Sequence, residues 1–230
     1  MHRGGKRLVF VDSRRRVENL AVALLAGACS LEDGVYRMWY TAGTAFVLLE
    51  TGYAESTDGV HWTKHPDNPV LPRGKPGEPD EYRAQFYGSI IRDGGKFRMW
   101  YIAADWEAVD SIPTRAYRGW RAAYAESEDG IHWVKPKLGL VEHRGSRDNN
   151  LVLIEPPDVT GLTLVVLHEP DAPDPSRRFK MIHQIRWAEA PLFGWTTSVP
   201  LFSEDGFRWK LHTRGAPKDY AISTKDMPLP

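Results

Sequence analysis

Tyr124-Ala125-Glu126-Ser127-Glu128-Asp129-Gly130-Ile131-His132-Trp133 is the stretch on which the fold turns, because nearly the same phrase stands 71 residues earlier as Tyr53-Ala54-Glu55-Ser56-Thr57-Asp58-Gly59-Val60-His61-Trp62. Ahead of each copy lies a second matching pair. Gly34-Val35-Tyr36-Arg37-Met38-Trp39-Tyr40 corresponds to Gly95-Lys96-Phe97-Arg98-Met99-Trp100-Tyr101, displaced by 61 residues, so the later unit holds ten extra residues between its two phrases. A weaker third copy runs through Arg178-Phe179-Lys180-Met181-Ile182 and then Leu201-Phe202-Ser203-Glu204-Asp205-Gly206-Phe207-Arg208-Trp209. Self-similarity at this spacing is the mark of a repeat architecture.

Within a unit the local signals read strand, turn, strand. Tyr36 to Thr41 and Phe97 to Ile102 are rich in aromatic and β-branched residues, and Ser-x-Asp-Gly supplies a tight turn before a short strand bearing tryptophan. In the second unit another strand precedes, closed by Asp93-Gly94-Gly95, which predicts four antiparallel strands at 86–92, 96–103, 121–127 and 131–135. Repeated four-stranded units are blades of a β-propeller. The turn motif reads as structural: serine and aspartate bond the turn backbone and the tryptophan fills the space between sheets, so His61 and His132 inside it are read as structural too.

Composition agrees with an all-β chain. Twenty Gly and 17 Pro in 230 residues are too many helix breakers for a bundle, while nine Trp, nine Tyr and eight Phe favour strands. Thirty basic and 30 acidic side chains cancel, which argues against a nucleic-acid or anionic-membrane partner. The single cysteine, Cys29, excludes an internal disulfide framework and a Cys-rich zinc site, and no metal or other cofactor is expected. No apolar run reaches the roughly 18 residues of a membrane span. The nearest, Leu20 to Ala28, follows three arginines and precedes Cys29, in outline a signal or lipoprotein start. Asp12 and Glu18 and the absence of a leucine three residues before the cysteine favour a buried strand, and with it a cytoplasmic rather than an exported or lipid-anchored chain.

The Phe-Arg-Met-Trp-Tyr strand, the Tyr-Ala-Glu-Ser-x-Asp-Gly-Ile-His-Trp hairpin and the segment from Lys135 through Asn149-Asn150-Leu151-Val152 resemble a bacterial group of five-bladed propeller proteins. That group is similar to the glycoside hydrolases that include fructosidases, arabinanases and β-xylosidases. The resemblance implies one propeller domain over 1–230, with units at about 8–66, 67–140 and 149–212 and a partial one at 213–230, or about three and a half blades of an expected five. It implies that the chain is incomplete and that its open blade edges invite self-association.

It also implies hydrolysis of glycosidic bonds in a furanose-containing or plant-type polysaccharide by paired carboxylates. In a four-stranded blade the loop leading into the innermost strand and the loop joining the second and third strands lie on one face. The candidate catalytic carboxylates on that face are Asp80 and Glu81 in the second unit, Asp12 in the first and Glu155, ahead of Pro156-Pro157, in the third. Arg83 and Tyr87 accompany them. The ten-residue insertion supplies Trp106, Tyr117 and Trp120 as sugar-stacking aromatics, with Asp105 and Arg118 to bond hydroxyls, and Asn149 and His183 are further binding candidates. The chain lacks the Trp-Met-Asn-Asp-Pro-Asn, Arg-Asp-Pro and Glu-Cys signatures of fructosidases, and also any phosphate-cradling, dinucleotide or His-Glu-x-x-His motif. The alternative reading is a non-catalytic carbohydrate-binding or protein-binding propeller, or a truncated inactive relative.

Overall fold

A computed structural model of the chain describes residues 8–10, 27–44, 48–107, 120–155, 161–186 and 196–212. Thirteen strands carry nearly all the regular structure among these residues. The first blade runs β1 (Leu8–Phe10), β2 (Gly27–Glu32), β3 (Val35–Thr44), β4 (Leu48–Ser56) and β5 (Thr63–Lys64), each antiparallel to the one before. The second runs β6 (Arg83–Asp93), β7 (Lys96–Ala104) and β8 (Arg121–Ser127), again antiparallel. β9 (Leu153–Glu155) leads to the third blade, β10 (Gly161–His168), β11 (Phe179–Arg186), β12 (Thr196–Ser203) and β13 (Arg208–Leu211), and itself lies parallel along β13. These are blades of a β-propeller whose sheets do not close into a ring among the described residues.

The second blade tests the strand boundaries. Its inner strand begins at Arg83 rather than 86, and its expected outermost strand shrinks to one rung, in which Val134 and Glu126 exchange backbone bonds of 2.8 and 2.9 Å. The turn explains the loss. Asp129 Oδ1 accepts from the N–H groups of both Ile131 and His132 at 2.8 Å, so those donors serve the side chain and not a ladder. Ser127 Oγ accepts from the N–H of Asp129 and Gly130, and the same pattern recurs at Ser56-Asp58 and Ser203-Asp205.

Alternation along β7 builds two cores. Phe97, Met99, Tyr101 and Ala103 face the first blade and join Trp39, Tyr53, Leu71 and Phe86, whereas Trp100, Ile102 and Ala104 face the third and join Leu164, Met181, Leu201 and Trp209. Each core is therefore the space between consecutive blades. Trp39 Nε1 crosses it to donate to Gly130 O at 2.7 Å, and Trp100 Nε1 does the same to Gly206 O at 2.8 Å. The hairpin's own tryptophan shares that acceptor: Trp133 reaches Gly130 O and Trp209 reaches Gly206 O, both at 2.9 Å. Glycine is required there twice over. Its φ is +80° at Gly130 and +81° at Gly206, and a Cβ would stand 2.8 Å from the Trp39 ring or 2.9 Å from the Trp100 ring.

Arg98 completes the second junction. It hydrogen-bonds Asp93 and Tyr124, donates to Asp205 O across the blades at 3.0 Å, and sits 4.8 Å from the Phe179 ring centre and 5.2 Å from that of Phe207. Nearer the inner strands, hydroxyls tie the blades: Thr41 to Phe86 O, Thr51 to Ala84 O, and Val166 N to Ser89 Oγ.

Replacing Trp100 with Phe keeps a smaller ring, deletes the donor to Gly206, which retains Trp209, and leaves part of the indole's space empty, so the expected loss is about 1–3 kcal/mol. Trp100→Ala empties the core between blades and should cost about 3–5 kcal/mol. Urea unfolding of the two variants checks the difference.

Candidate functional site

The register brings the two candidate loops of the second blade to one end of it. Arg83 at the start of β6 pairs with Ala104 at the end of β7, and Ala103 pairs with Arg121 at the start of β8, so the lead-in loop and the β7–β8 loop emerge together on what we term the upper face. The Ser-x-Asp-Gly turns lie at the opposite end of the blades.

Asp80 and Glu81, adjacent in sequence, have different surroundings. Asp80 is 1% exposed, and its Oδ2 meets Lys135 Nζ at 2.6 Å and the Tyr101 hydroxyl at 2.8 Å. Tyr101 in turn accepts from Asn150 Nδ2 at 2.7 Å, and the Lys135 ammonium also donates to Pro72 O. This chain fastens the lead-in loop to the second blade from beneath. Glu81 turns to the upper face. Its Oε2 accepts from Gly77 N at 2.6 Å, and its Oε1 takes Arg144 at 2.9 Å and, more distantly, Trp106 N at 3.4 Å. Burial works to raise the Glu81 pKa, but the two N–H groups and the guanidinium outweigh it and hold the carboxyl below its ordinary range, so it is ionised at neutral pH.

Arg144 is the hub. The same nitrogen that meets Glu81 at 2.9 Å lies 3.6 Å from Asp105 Oδ2, so the two carboxylate oxygens are within about 6.5 Å of each other by the triangle inequality. The arginine is delivered by a two-residue hairpin, His143 to Ser146, in which Arg144 has φ +48° and Gly145 +79°. Left-handed backbone costs a residue with a side chain about 1–2 kcal/mol. Beside it, His143 Nε2 is buried without a hydrogen bond and faces Asp105 Oδ2 at 3.8 Å. Burial is the main influence on this imidazole and draws its pKa below the ordinary value, against the pull of Asp105. Trp106 stands 51% exposed over Tyr82, the ring centres 4.7 Å apart, and the Tyr82 hydroxyl is buried without a partner.

Other predicted site residues fall nearby or elsewhere. Arg83 is buried, bonded to Gln85 at 3.0 Å, with its guanidinium 4.6 Å from the centre of Trp120, itself 6% exposed, and Tyr87 is half-buried near it. Asn149 is turned inward, bonding Val141 O and Ser146 O and accepting from Leu151 N. His183 is 1% exposed within β11. Glu155 ends β9 opposite Lys210, on the outermost edge of the third blade, and none of its contacts among the described residues reaches the Glu81 group. Asp12, Tyr117 and Arg118 lie outside the described residues. Sequence reasoning missed Arg144, His143, Lys135 and Tyr82. The signal for the first was Arg144-Gly145 itself, a pair suited to a tight hairpin.

Among the described residues no cluster of His, Cys, Asp and Glu suits a metal ion, and no helix is long and apolar enough to cross a membrane. A depression of about 320 Å³ lies on the turn side of the second blade, lined by Lys96, Glu126 and His132 among others. Its charges are already paired, Lys96 with Glu126 and Glu128 and His132 with Asp129, whereas the upper face offers unpartnered polar atoms and a bare indole. We place the site on the upper face.

No protein-family model matches the chain. Two uncharacterised proteins from strains of Mycobacterium tuberculosis are 32% identical over 110 residues, 44% of this chain and 30% of each relative. Among solved structures, the GH32 β-fructofuranosidase of Bombyx mori superposes with a TM-score of 0.52 at 14% identity, over 85% of this chain and 38% of that one. A glycosyl hydrolase from Bacteroides ovatus superposes at 0.50 with 18% identity, over 82% and 48%. The chain thus spans less than half the length of these relatives. Its fold is that of the propeller glycoside hydrolases.

Two outcomes follow from the electrostatics. Asp80→Asn leaves Lys135 without its counter-charge and should cost about 2 kcal/mol in urea unfolding. In an NMR titration His143 should protonate below the ordinary imidazole range and His61 and His132 above it, since the latter pair with Asp58 and Asp129. The signs are opposite: the unfolded chain takes the His143 proton first, so its contribution to stability falls on acidification through about pH 6.5, where the contribution of His61 and His132 is retained.

Proposed function

We propose that the chain is a glycoside hydrolase-like protein that holds carbohydrate on the upper face of its second blade and cleaves a glycosidic bond there. The observation that carries this reading is the meeting of two carboxylates, Glu81 and Asp105, around Arg144, next to the bare indole of Trp106. A flat apolar ring beside fixed charges suits a sugar, whose ring faces stack and whose hydroxyls need hydrogen-bond partners.

In this reading the ionised Glu81 attacks the anomeric carbon or takes a proton from the attacking water, while Asp105 acts as the general acid and gives its proton to the glycosidic oxygen as the bond from that oxygen to the anomeric carbon breaks. The spacing of the two carboxyl groups decides the outcome, about 5–5.5 Å going with retention and about 6.5–9.5 Å with inversion. The likeness of the fold to a fructofuranosidase and a glycosyl hydrolase supports a furanose-containing or plant-type polysaccharide as substrate. A second reading, carbohydrate binding without hydrolysis, is favoured by the engagement of both Glu81 oxygens by Gly77, Trp106 and Arg144.

A panel of arabinan, xylan, fructan and mannoside substrates separates the readings. Sugar release that falls at least about 100-fold in Glu81→Gln supports hydrolysis. Binding without release, weakened about tenfold in Trp106→Ala, supports the second reading. A folded protein that neither binds nor cleaves any of the panel overturns both.

A further inference from the structure

Donors outnumber acceptors at the mouth of the upper-face site. Arg144 meets Glu81 and Asp105 through Nη2 alone, so Nε and Nη1 of a guanidinium whose side chain is 41% exposed hold no bond among the described residues. Arg121 stands exposed at the start of β8, and its guanidinium makes no hydrogen bond or ion pair among the described residues. Both positive charges act on His143, whose side chain is nine-tenths buried and whose Nε2 has no hydrogen bond. The acids do not absorb these donors. Glu81 and Asp105 are buried, and both Glu81 oxygens are already engaged by Gly77, Trp106 and Arg144. Of the exposed carboxylates on the adjoining segments, Glu107 and Glu142, neither bonds a guanidinium. Glu142 stands between Val141, which packs on the core, and the buried His143, so alternation turns it away from them. A ligand arriving from solvent therefore meets positive charge first.

We propose that the upper face takes an acidic saccharide, and that Arg121 and Arg144 bind the carboxylate of a uronate residue in it. This rests on the saccharide reading of the site and narrows it to one substrate class. A guanidinium fork matches a planar carboxylate with two parallel N–H···O bonds, whereas a sugar hydroxyl answers one donor at a time and leaves both charges uncompensated. The anion also offsets the two charges that act on His143, and Trp106 covers the apolar face of the sugar ring. Binding then serves the chemistry. A guanidinium drawn outward by the ligand loosens its hold on Glu81 Oε1, an oxygen that is otherwise tied up.

Calorimetric titration of the full chain compares an oligogalacturonate with a neutral xylo-oligosaccharide of equal length. The acidic ligand should bind at least about tenfold tighter, and Arg121→Gln or Arg144→Gln should remove that advantage. Arg121 is exposed and makes no side-chain bond, so its variant should keep the wild-type circular dichroism spectrum. In an NMR titration, saturation with oligogalacturonate should move His143 protonation to higher pH, and the neutral ligand should not. Equal or tighter binding of the neutral oligosaccharide overturns this inference and leaves the saccharide reading standing, whereas failure to bind either ligand overturns both. An acidic preference that survives both substitutions overturns the assignment to these arginines. Polyglutamate bound as tightly as oligogalacturonate overturns it as well, since charge alone would then be read.

Discussion

A single carbonyl oxygen with two lone pairs and two tryptophans sets the geometry of this molecule. At Gly130 and again at Gly206 the oxygen accepts from one indole in its own hairpin and from another in the preceding blade. An indole N–H buried without a partner is costly, so each tryptophan must find this atom, and the acceptor lies on the neighbouring sheet. The hydrogen bond therefore does what area burial alone cannot: it fixes the register of one blade against the next. Glycine follows as a consequence, by backbone conformation and by the absence of room for a Cβ. The serine and aspartate of the motif serve the same end by holding the turn so that the carbonyl points outward.

That constraint positions the loops of the candidate site. Once the second blade is clamped on both sides, the upper ends of β6 and β7 are fixed, and the hairpin that follows the blade closes against them. Loop 74–82 brings Glu81, the end of β7 brings Asp105 and Trp106, and the hairpin after the blade brings His143 and Arg144. The left-handed φ of Arg144 is local strain, offset by two carboxylates that draw the guanidinium inward.

The repeat made the architecture legible. Strand, turn and strand could be read from Phe97-Arg98-Met99-Trp100-Tyr101 and Ser127-Glu128-Asp129-Gly130 because each appears more than once and each obeys period-two alternation. The topological argument that loops before β6 and after β7 share a face needed only antiparallel order, and the register agrees. Contacts across sequence were not legible. Arg144 reaches Glu81 over 63 residues, and Lys135 reaches Asp80 over 55, neither by any local pattern. The inward turn of Asn149 was hidden for a related reason, since an amide in a loop looks free until Val141 and Ser146 close around it. The outermost strand of the second blade failed through side-chain competition: Asp129 takes the N–H groups that the ladder would have used.

The divergence of Asp80 and Glu81 shows how far a position can be argued from residue type. Both are carboxylates in a polar loop, both are less than a tenth exposed, and sequence alone treats them alike. What separates them is the path of the chain through the Gly74–Asp80 turn, where Gly74 N bonds Asp80 O and a Cβ on Gly74 would lie 2.3 Å from Asp80 Oδ1. That close approach turns Asp80 toward β7, where Tyr101 donates to it, and sends the next side chain the other way, toward solvent and Arg144. A small residue at 74 thus assigns one carboxylate to the frame and leaves its neighbour facing Arg144.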